Sequence, residues 1–196
     1  IIVNKSTVPI GMTNIVRDIF SHKLAKRNCN LEVDVVSNPE FLREGSAIND
    51  FLYPDRVVIG SESKKVQKEM STLYLQAGIP KKKIIFMSEK SAELTKYAAN
   101  AFLATKISFI NEIANLSESL GANIKEVALG IGTDERIGKS FLNAGCGYGG
   151  SCFPKDVKAL QKAGRDQSYD FKILNAVIEV NEYSPMSQLI SSECPH

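Results

Sequence analysis

Residues 1–36 read IIVNKSTVPIGMTNIVRDIFSHKLAKRNCNLEVDVV, and the change of pattern inside them decides the fold. Ile1, Ile2 and Val3 form a short apolar run of β-formers, which predicts a buried strand over residues 1–4. Ser6, Thr7, Pro9 and Gly11 punctuate a turn at its carboxyl end. Over residues 13–26 the period becomes helical, with Ile15, Val16, Ile19, Phe20 and Leu24 on one face. Leu31, Val33, Val35 and Val36 then restore a strand pattern, ended by Ser37-Asn38-Pro39.

The alternation continues outward from this stretch. A third strand is predicted over residues 57–60 and a helix over 63–76, with Val66, Met70, Leu73 and Tyr74 on one side. A fourth strand follows over 84–87. This β-α-β-β-α-β order predicts the α/β class, as the C-terminal part of a Rossmann-like, mostly parallel sheet. Ligands of such sheets sit beyond the carboxyl ends of the strands, so Thr7 and residues 38–44 fall at the functional edge.

From residue 88 to 120 the pattern is one long helix, with Ser88 or Ser91 as its N-cap and Gly121 as its terminator. Apolar residues lie on most of its sides (Leu94, Tyr97, Phe102, Phe109, Ile110, Leu116), so more than one surface must cover it. A connecting helix that also forms a homodimer interface fits this distribution. Lys96 and Asn100 share a face at i, i+4. Local sequence alone favours an exposed lysine beside an amide.

An all-α part follows, with helices expected over 124–129, 154–163 and 170–182, and a loop over 130–138. The expected division is thus 1–87 for the end of the Rossmann-like domain, 88–183 for the helical central domain, and 184–196 for a tail. Within the helical part, residues 145–156 read GCGYGGSCFPKD, four glycines in six positions followed by a cysteine at a helix start. Such a backbone can turn freely and approach a ligand closely. The helix N-terminus and Lys155 both favour the thiolate form of Cys152. A half-buried cysteine behaving as a small hydrophobe remains the other reading. Gly145, Gly147 and Gly150 also spell G-x-G-x-x-G, but no strand pattern precedes them, so this is not a dinucleotide loop.

The 196 residues carry a net charge of +2, which gives no electrostatic case for nucleic acid. The lysine run 81–83 reads as a solvated turn. Four spaced cysteines and two distant histidines make neither a disulfide framework nor a zinc site, so no metal is expected. No apolar run is long enough to span a bilayer and no signal peptide stands at the start, so a cytoplasmic protein without a membrane partner is expected. The chain opens inside a strand pattern without methionine, and its end carries no closing element, so an excerpt of a longer protein is expected.

Five stretches together resemble the UDP-glucose/GDP-mannose dehydrogenase family of nucleotide-sugar dehydrogenases: KSTVPIG (5–11), SNPEFLREGSAINDF (37–51), PDRVVIG (54–60), ELTKYAANAFLATKISFINEIA (93–114) and FLNAGCGYGGSCFPKD (141–156). The last is highly specific, and five in this order are strong where each alone is weak. The resemblance implies an enzyme with NAD as cofactor that oxidises UDP-glucose twice, to UDP-glucuronate, through a cysteine thiohemiacetal and thioester. GDP-mannose or another nucleotide-sugar is the alternative substrate, and a truncated, inactive dimerisation fragment the alternative of another kind.

By the same resemblance Cys152 is the nucleophile, and Lys96 and Asn100 donate to the oxyanion, which reverses their local reading. Asp156 and Thr7 remove the hydroxyl proton through a water. Glu40 serves the hydrolytic step, and Glu44 the cofactor side, where Thr7 and Lys155 are also expected. Substrate contacts are implied for residues 40–44 (Glu40, Phe41, Leu42, Arg43, Glu44), for Lys96 and Asn100, for the loop Phe141, Leu142, Asn143, Ala144 and Gly145, for Gly149, and for Arg136 toward a neighbouring subunit. One departure stands out. The family's N-terminal strand and G-x-G-x-x-G loop have no copy in the right context here, so weak NAD binding by these residues alone is expected.

Overall fold

The computed structural model describes residues 1–43 and 45–183. They form two compact units, 1–96 and from Tyr97 onward, and the boundary falls within a single helix.

The first unit is built on a four-stranded sheet in the order β1 (Ile2–Asn4), β2 (Val35–Ser37), β3 (Val57–Gly60), β4 (Ile84–Met87). β1 pairs with β2 and β3 with β4 in parallel, while β2 and β3 are antiparallel and meet at Ser37 and Gly60. The sheet is therefore mostly parallel, as the strand–helix alternation implied. Three helices accompany it: α1 (Met12–Lys26), α2 (Ala47–Leu52) and α3 (Lys64–Gln76). Val36, Val57, Ile59, Val66, Met70 and Ile79 make the core between sheet and α3.

The sequence reading needs correction in several places. β2 begins only at Val35, leaving Leu31 exposed, because β1 offers just three residues to pair with. β1 is an edge strand, so Ile1 and Val3 are exposed rather than buried. Ile15, Ile19 and Phe20 of α1 also face solvent, although their spacing is helical. α2 was not anticipated; it has six residues and no long apolar period. Lys81–Lys83, read as a solvated turn, form a single 3₁₀ turn with no buried residue.

α1 lacks a capping side chain of its own, since Gly11 occupies its N-cap at φ 93°. Its orphan amides are met from far along the chain by the buried Glu93. Glu93 Oε2 accepts the Gly11 N–H at 2.5 Å, while Oε1 accepts the Thr13 N–H at 2.9 Å and the Thr13 hydroxyl at 2.7 Å. Arg17 adds an ion pair to Glu89 at 3.0 Å. Glu89 and Glu93 belong to the long helix α4 (Glu89–Leu120). Close packing of its first turn on β3 requires Gly60, where a Cβ would come within 2.7 Å of Ala92 Cβ.

α4 has 32 residues, hence a length of about 48 Å, and Ser88 caps it by accepting the Ser91 N–H. In the second unit it is joined by α5 (Ile124–Gly132), α6 (Phe153–Asp166) and α7 (Lys172–Glu182). Tyr97, Ala101, Ala104, Tyr148, Val157, Leu160, Leu174 and Val177 form this unit's core. α5 runs three residues beyond the predicted end, through two glycines that stood for loop in the sequence. Gly132 is buried there, with Leu142 and Lys139 close enough that a Cβ would crowd both. Phe102, Phe109 and Leu116, seven residues apart on α4, are exposed. The expected tail, 184–196, and Glu44 lie outside the described residues.

Candidate functional site

Strand ends position the candidate residues of the first unit. Where β1 stops, Thr7 lies half-buried in the segment leading to α1. Beyond β2, Asn38 is buried and ties three elements together. Its N–H donates to Asn4 O at 2.8 Å, its Nδ2 donates to Val58 O at 2.8 Å, and its Oδ1 accepts from Lys5 Nζ at 3.0 Å and from the Tyr74 hydroxyl. Pro39 follows, and then Glu40 and Phe41 are presented at the sheet's edge.

Glu40 is bound on both oxygens. Oε2 accepts the Leu42 N–H at 2.7 Å, and Oε1 lies 3.5 Å from Lys96 Nζ. Lys96 is only 4% exposed, so the local expectation of an exposed lysine is overturned. The helix spacing puts position 96 on the buried side of α4, and one carboxylate at salt-bridge distance accompanies the buried ammonium. Lys96 Nζ is also 5.3 Å from the Phe41 ring centroid, and the Arg56 guanidinium lies 3.9 Å from it. Arg43 is engaged elsewhere: its guanidinium binds both oxygens of Asp50, at 2.5 to 3.2 Å, and its N–H donates to Asp50 at 2.8 Å. With Ser46 adding a fourth donor group, these bonds from Arg43 hold the Asp50 carboxyl far below the usual carboxylate range and raise that of Arg43 itself. Leu42 is exposed beside them.

The second unit assembles around the start of α6. Cys152 is the N-cap residue, exposed, with Pro154 in the first turn, as the sequence implied. The reading of Cys152 as half-buried does not hold. Its Sγ lies 3.6 Å from Ser151 Oγ. Asp156, one turn later, is 1% exposed and doubly held, by Asn100 Nδ2 at 2.6 Å and by Lys155 Nζ at 2.5 Å. The bond to Asp156 raises the Lys155 pKa. Asn100, Lys155 and Asp156 are thus one network, whose carboxylate shares a helix face with the cysteine.

The loop before it runs from Phe141 to Gly150. Leu142 is buried, while Asn143, Ala144, Gly145 and Gly149 are exposed. Phe141 takes φ 64°, which is strained for a bulky residue, and its ring meets Phe153 edge-on at 6.1 Å. Gly147 and Gly150 have positive φ. Gly145 and Gly149 have open space where a Cβ would stand, so their main chain is accessible. Arg136 is on a turn apart from these groups, its side chain 88% exposed and bound to Asp134 at 2.6 Å. That turn is fixed by Lys106, which donates to Ile137 O at 3.0 Å.

Sequence reasoning missed Asn38, Asp50, Glu93, Asn111 and Asn181 as organisers of these loops. Each acts on a backbone or side chain distant in sequence, except Asp50, whose Arg43 partner is seven residues away. For NAD the residues present fit in part. Thr7 stands at the carboxyl edge of a parallel strand pair, where such cofactors bind. The pyrophosphate is not served at the N-terminus of α1, because Glu93 already takes the Gly11 and Thr13 amides.

Two family models match the chain. Residues 1–78 match the NAD binding domain of the UDP-glucose/GDP-mannose dehydrogenase family, and residues 90–183 its central domain. UDP-glucose 6-dehydrogenase TuaD of Bacillus subtilis is 53% identical over 182 residues, 93% of this chain and 38% of its own. UDP-glucose 6-dehydrogenase of Pseudomonas aeruginosa is 51% identical over 177 residues, 90% of this chain and 39% of its own. A solved UDP-glucose dehydrogenase from Pyrobaculum islandicum superposes with a TM-score of 0.83 at 42% identity, covering 92% of this chain and 40% of the other. The chain therefore spans about two fifths of the length of these relatives. Two domain models of one family in the expected order, on a mostly parallel sheet followed by helices, place this chain in the UDP-glucose/GDP-mannose dehydrogenase family.

Proposed function

We propose that this chain carries the catalytic loop and part of the cofactor domain of an NAD-dependent dehydrogenase that oxidises UDP-glucose to UDP-glucuronate. The observation that carries the reading is the exposed Cys152 at a helix start, one turn before a buried carboxylate held by Asn100 and Lys155. Half-identical relatives named UDP-glucose 6-dehydrogenase favour UDP-glucose over GDP-mannose. Functionally we divide the chain at 87/88, with residues 1–87 serving NAD and 88–183 carrying substrate loop and nucleophile.

NAD, when bound, accepts a hydride in each of the two oxidations. The chain's own groups do the rest. Asp156 with Thr7 takes the proton of the sugar's primary hydroxyl, and loss of a hydride leaves an aldehyde. The Cys152 thiolate adds to the aldehyde carbon, forming a C–S bond and placing the negative charge on oxygen. Lys96 and Asn100, one turn apart on α4, donate to that oxygen. Loss of the second hydride turns this thiohemiacetal into a thioester. Glu40 orients water onto the thioester carbon, the C–S bond breaks, and carboxylate and thiol are released. Glu44 and Lys155 are assigned to the cofactor, and Phe41, Leu42, Arg43, residues 141–145 and Gly149 to the nucleotide-sugar.

We assign the exposed stripe Phe102, Phe109 and Leu116 to a second copy of the chain, in a homodimer whose neighbouring subunit receives Arg136. The three cysteines among the described residues, Cys29, Cys146 and Cys152, are free and exposed, which suits a reducing, cytoplasmic setting. The test is Cys152→Ala in the full-length protein with UDP-glucose and NAD. Net UDP-glucuronate formation should fall by at least about a thousandfold, with nucleotide-sugar binding retained. Unaltered acid formation would refute the covalent role.

A further inference from the structure

The glycine-rich segment before Cys152 belongs to no helix or strand, so groups from elsewhere must set its course. Two asparagines do this. Asn111 of α4 accepts the Gly145 N–H on Oδ1 at 2.8 Å, across 34 residues of sequence. Asn181 of α7 accepts the Tyr148 N–H on Oδ1 at 2.7 Å and donates Nδ2 to Tyr148 O at 3.2 Å. Between the two fastenings Gly147 has φ 95°, and a Cβ there would stand 2.5 Å from Asn181 Oδ1. The chain thus crosses the amide at a distance only glycine permits.

Asn111 adds a second observation. It is 5% exposed, and its Nδ2 is buried with no hydrogen-bond partner among the described residues. A buried, unpaired N–H group destabilises a fold, and an apolar side chain of similar volume would remove the penalty. Stability alone therefore disfavours asparagine here. What the amide does accomplish is the bond to Gly145, the last residue of the loop assigned to the nucleotide-sugar.

We propose that Asn111 and Asn181 are positioning residues: they fix the backbone of residues 145–148 in the form that binds the nucleotide-sugar. The role rests on the functional reading above, and the test separates the two. Asn111→Leu and Asn181→Leu are compared with Asn111→Asp, which keeps an acceptor for the Gly145 N–H. Amide exchange in the unliganded protein reports the fastening itself: Gly145 should lose protection in Asn111→Leu and Tyr148 in Asn181→Leu, by about tenfold or more. In full-length protein, the KM for UDP-glucose should rise about tenfold in both leucine variants, while the KM for NAD stays within about twofold. Asn111→Leu should unfold at the wild-type temperature or above it, and Asn111→Asp should restore the KM.

Unchanged exchange in the leucine variants overturns the fastening. Lost protection with an unchanged UDP-glucose KM overturns the positioning role. A wild-type protein that fails to bind UDP-glucose overturns the functional reading and the role with it, whatever the exchange shows. Should Asn111→Leu not fold, Asn181→Leu decides the matter alone, because Asn181 is only half-buried and its loss leaves no core cavity.

Discussion

The edge of the sheet and the loop before α6 hold their candidate residues by different means. At the sheet edge, strands deliver Thr7, Glu40 and Phe41 in sequence order, and the buried cation of Lys96 has, among the described residues, one carboxylate, that of Glu40, at 3.5 Å and the Phe41 ring at 5.3 Å. In the helical unit the carboxylate is the buried group, and Asp156 accepts from two side chains at 2.5 and 2.6 Å. A buried charge with one long ion pair and a ring face is less fully compensated than one with two short hydrogen bonds. On the function proposed above, the less compensated group is kept for what it does to a ligand, and the better compensated one also holds the fold together.

That contrast can be broken by experiment. The largest effects should come from Lys96→Met and Asp156→Asn, each lowering kcat in the full-length protein by about a hundredfold or more. Their stabilities should diverge. Lys96→Met removes a poorly paired buried charge and should match or exceed the wild-type melting temperature, while Asp156→Asn should lose about 1–3 kcal/mol in urea unfolding. Equal destabilisation of both would erase the distinction. Next in size is Glu93→Gln, which leaves one of the amides at the start of α1 facing a donor and should cost about 1–2 kcal/mol, with activity changed far less than by Lys96→Met. Urea unfolding followed in the first unit would register it.

The smallest effect concerns Asp50, which shapes the loop carrying Glu40. Because Arg43 depresses its carboxyl in the folded state, the stabilisation is fully present above the unfolded value of about 4 and declines as pH falls through the lower folded value. Wild type and Asp50→Asn should therefore differ by a constant amount between about pH 6 and 8 and converge in acid. A difference that grew as pH fell would contradict the assignment.

Much of the architecture could be read from residues 1–87, because strand and helix write themselves in hydrophobic period. Val35, Val36, Val57 and Ile59 are core positions on any such reading. The failures have physical causes. Ile15, Ile19 and Phe20 carry the right spacing, yet α1 meets β2 along the side of Thr13, Val16 and Arg17 and leaves those three residues exposed. α5 outran its predicted end because burial of Gly132 against Leu142 outweighs glycine's weak helix propensity. In the site, the position of Cys152 at a helix start was legible from the motif, whereas the burial of Lys96 and Asn100 was not: their spacing favoured an exposed lysine, and only the family resemblance pointed the other way. Asn111, Asn181 and Glu93 were not legible either, since a polar side chain that acts on a backbone N–H thirty or eighty residues away leaves no local trace.

The carboxylate at the start of α1 also bears on how the chain assembles. Thr13 and Glu93 are 80 residues apart, so their bond closes one of the longest loops in the first unit. Closing such a loop costs entropy before any contact rewards it, and contacts of this kind slow folding. On the ribosome the delay is literal: at 5–20 residues per second, roughly 4–16 s separate the synthesis of the helix start from that of its cap. Until then the Gly11 and Thr13 amides at the start of α1 lack their acceptor, and that gap closes only once the long helix has begun to emerge.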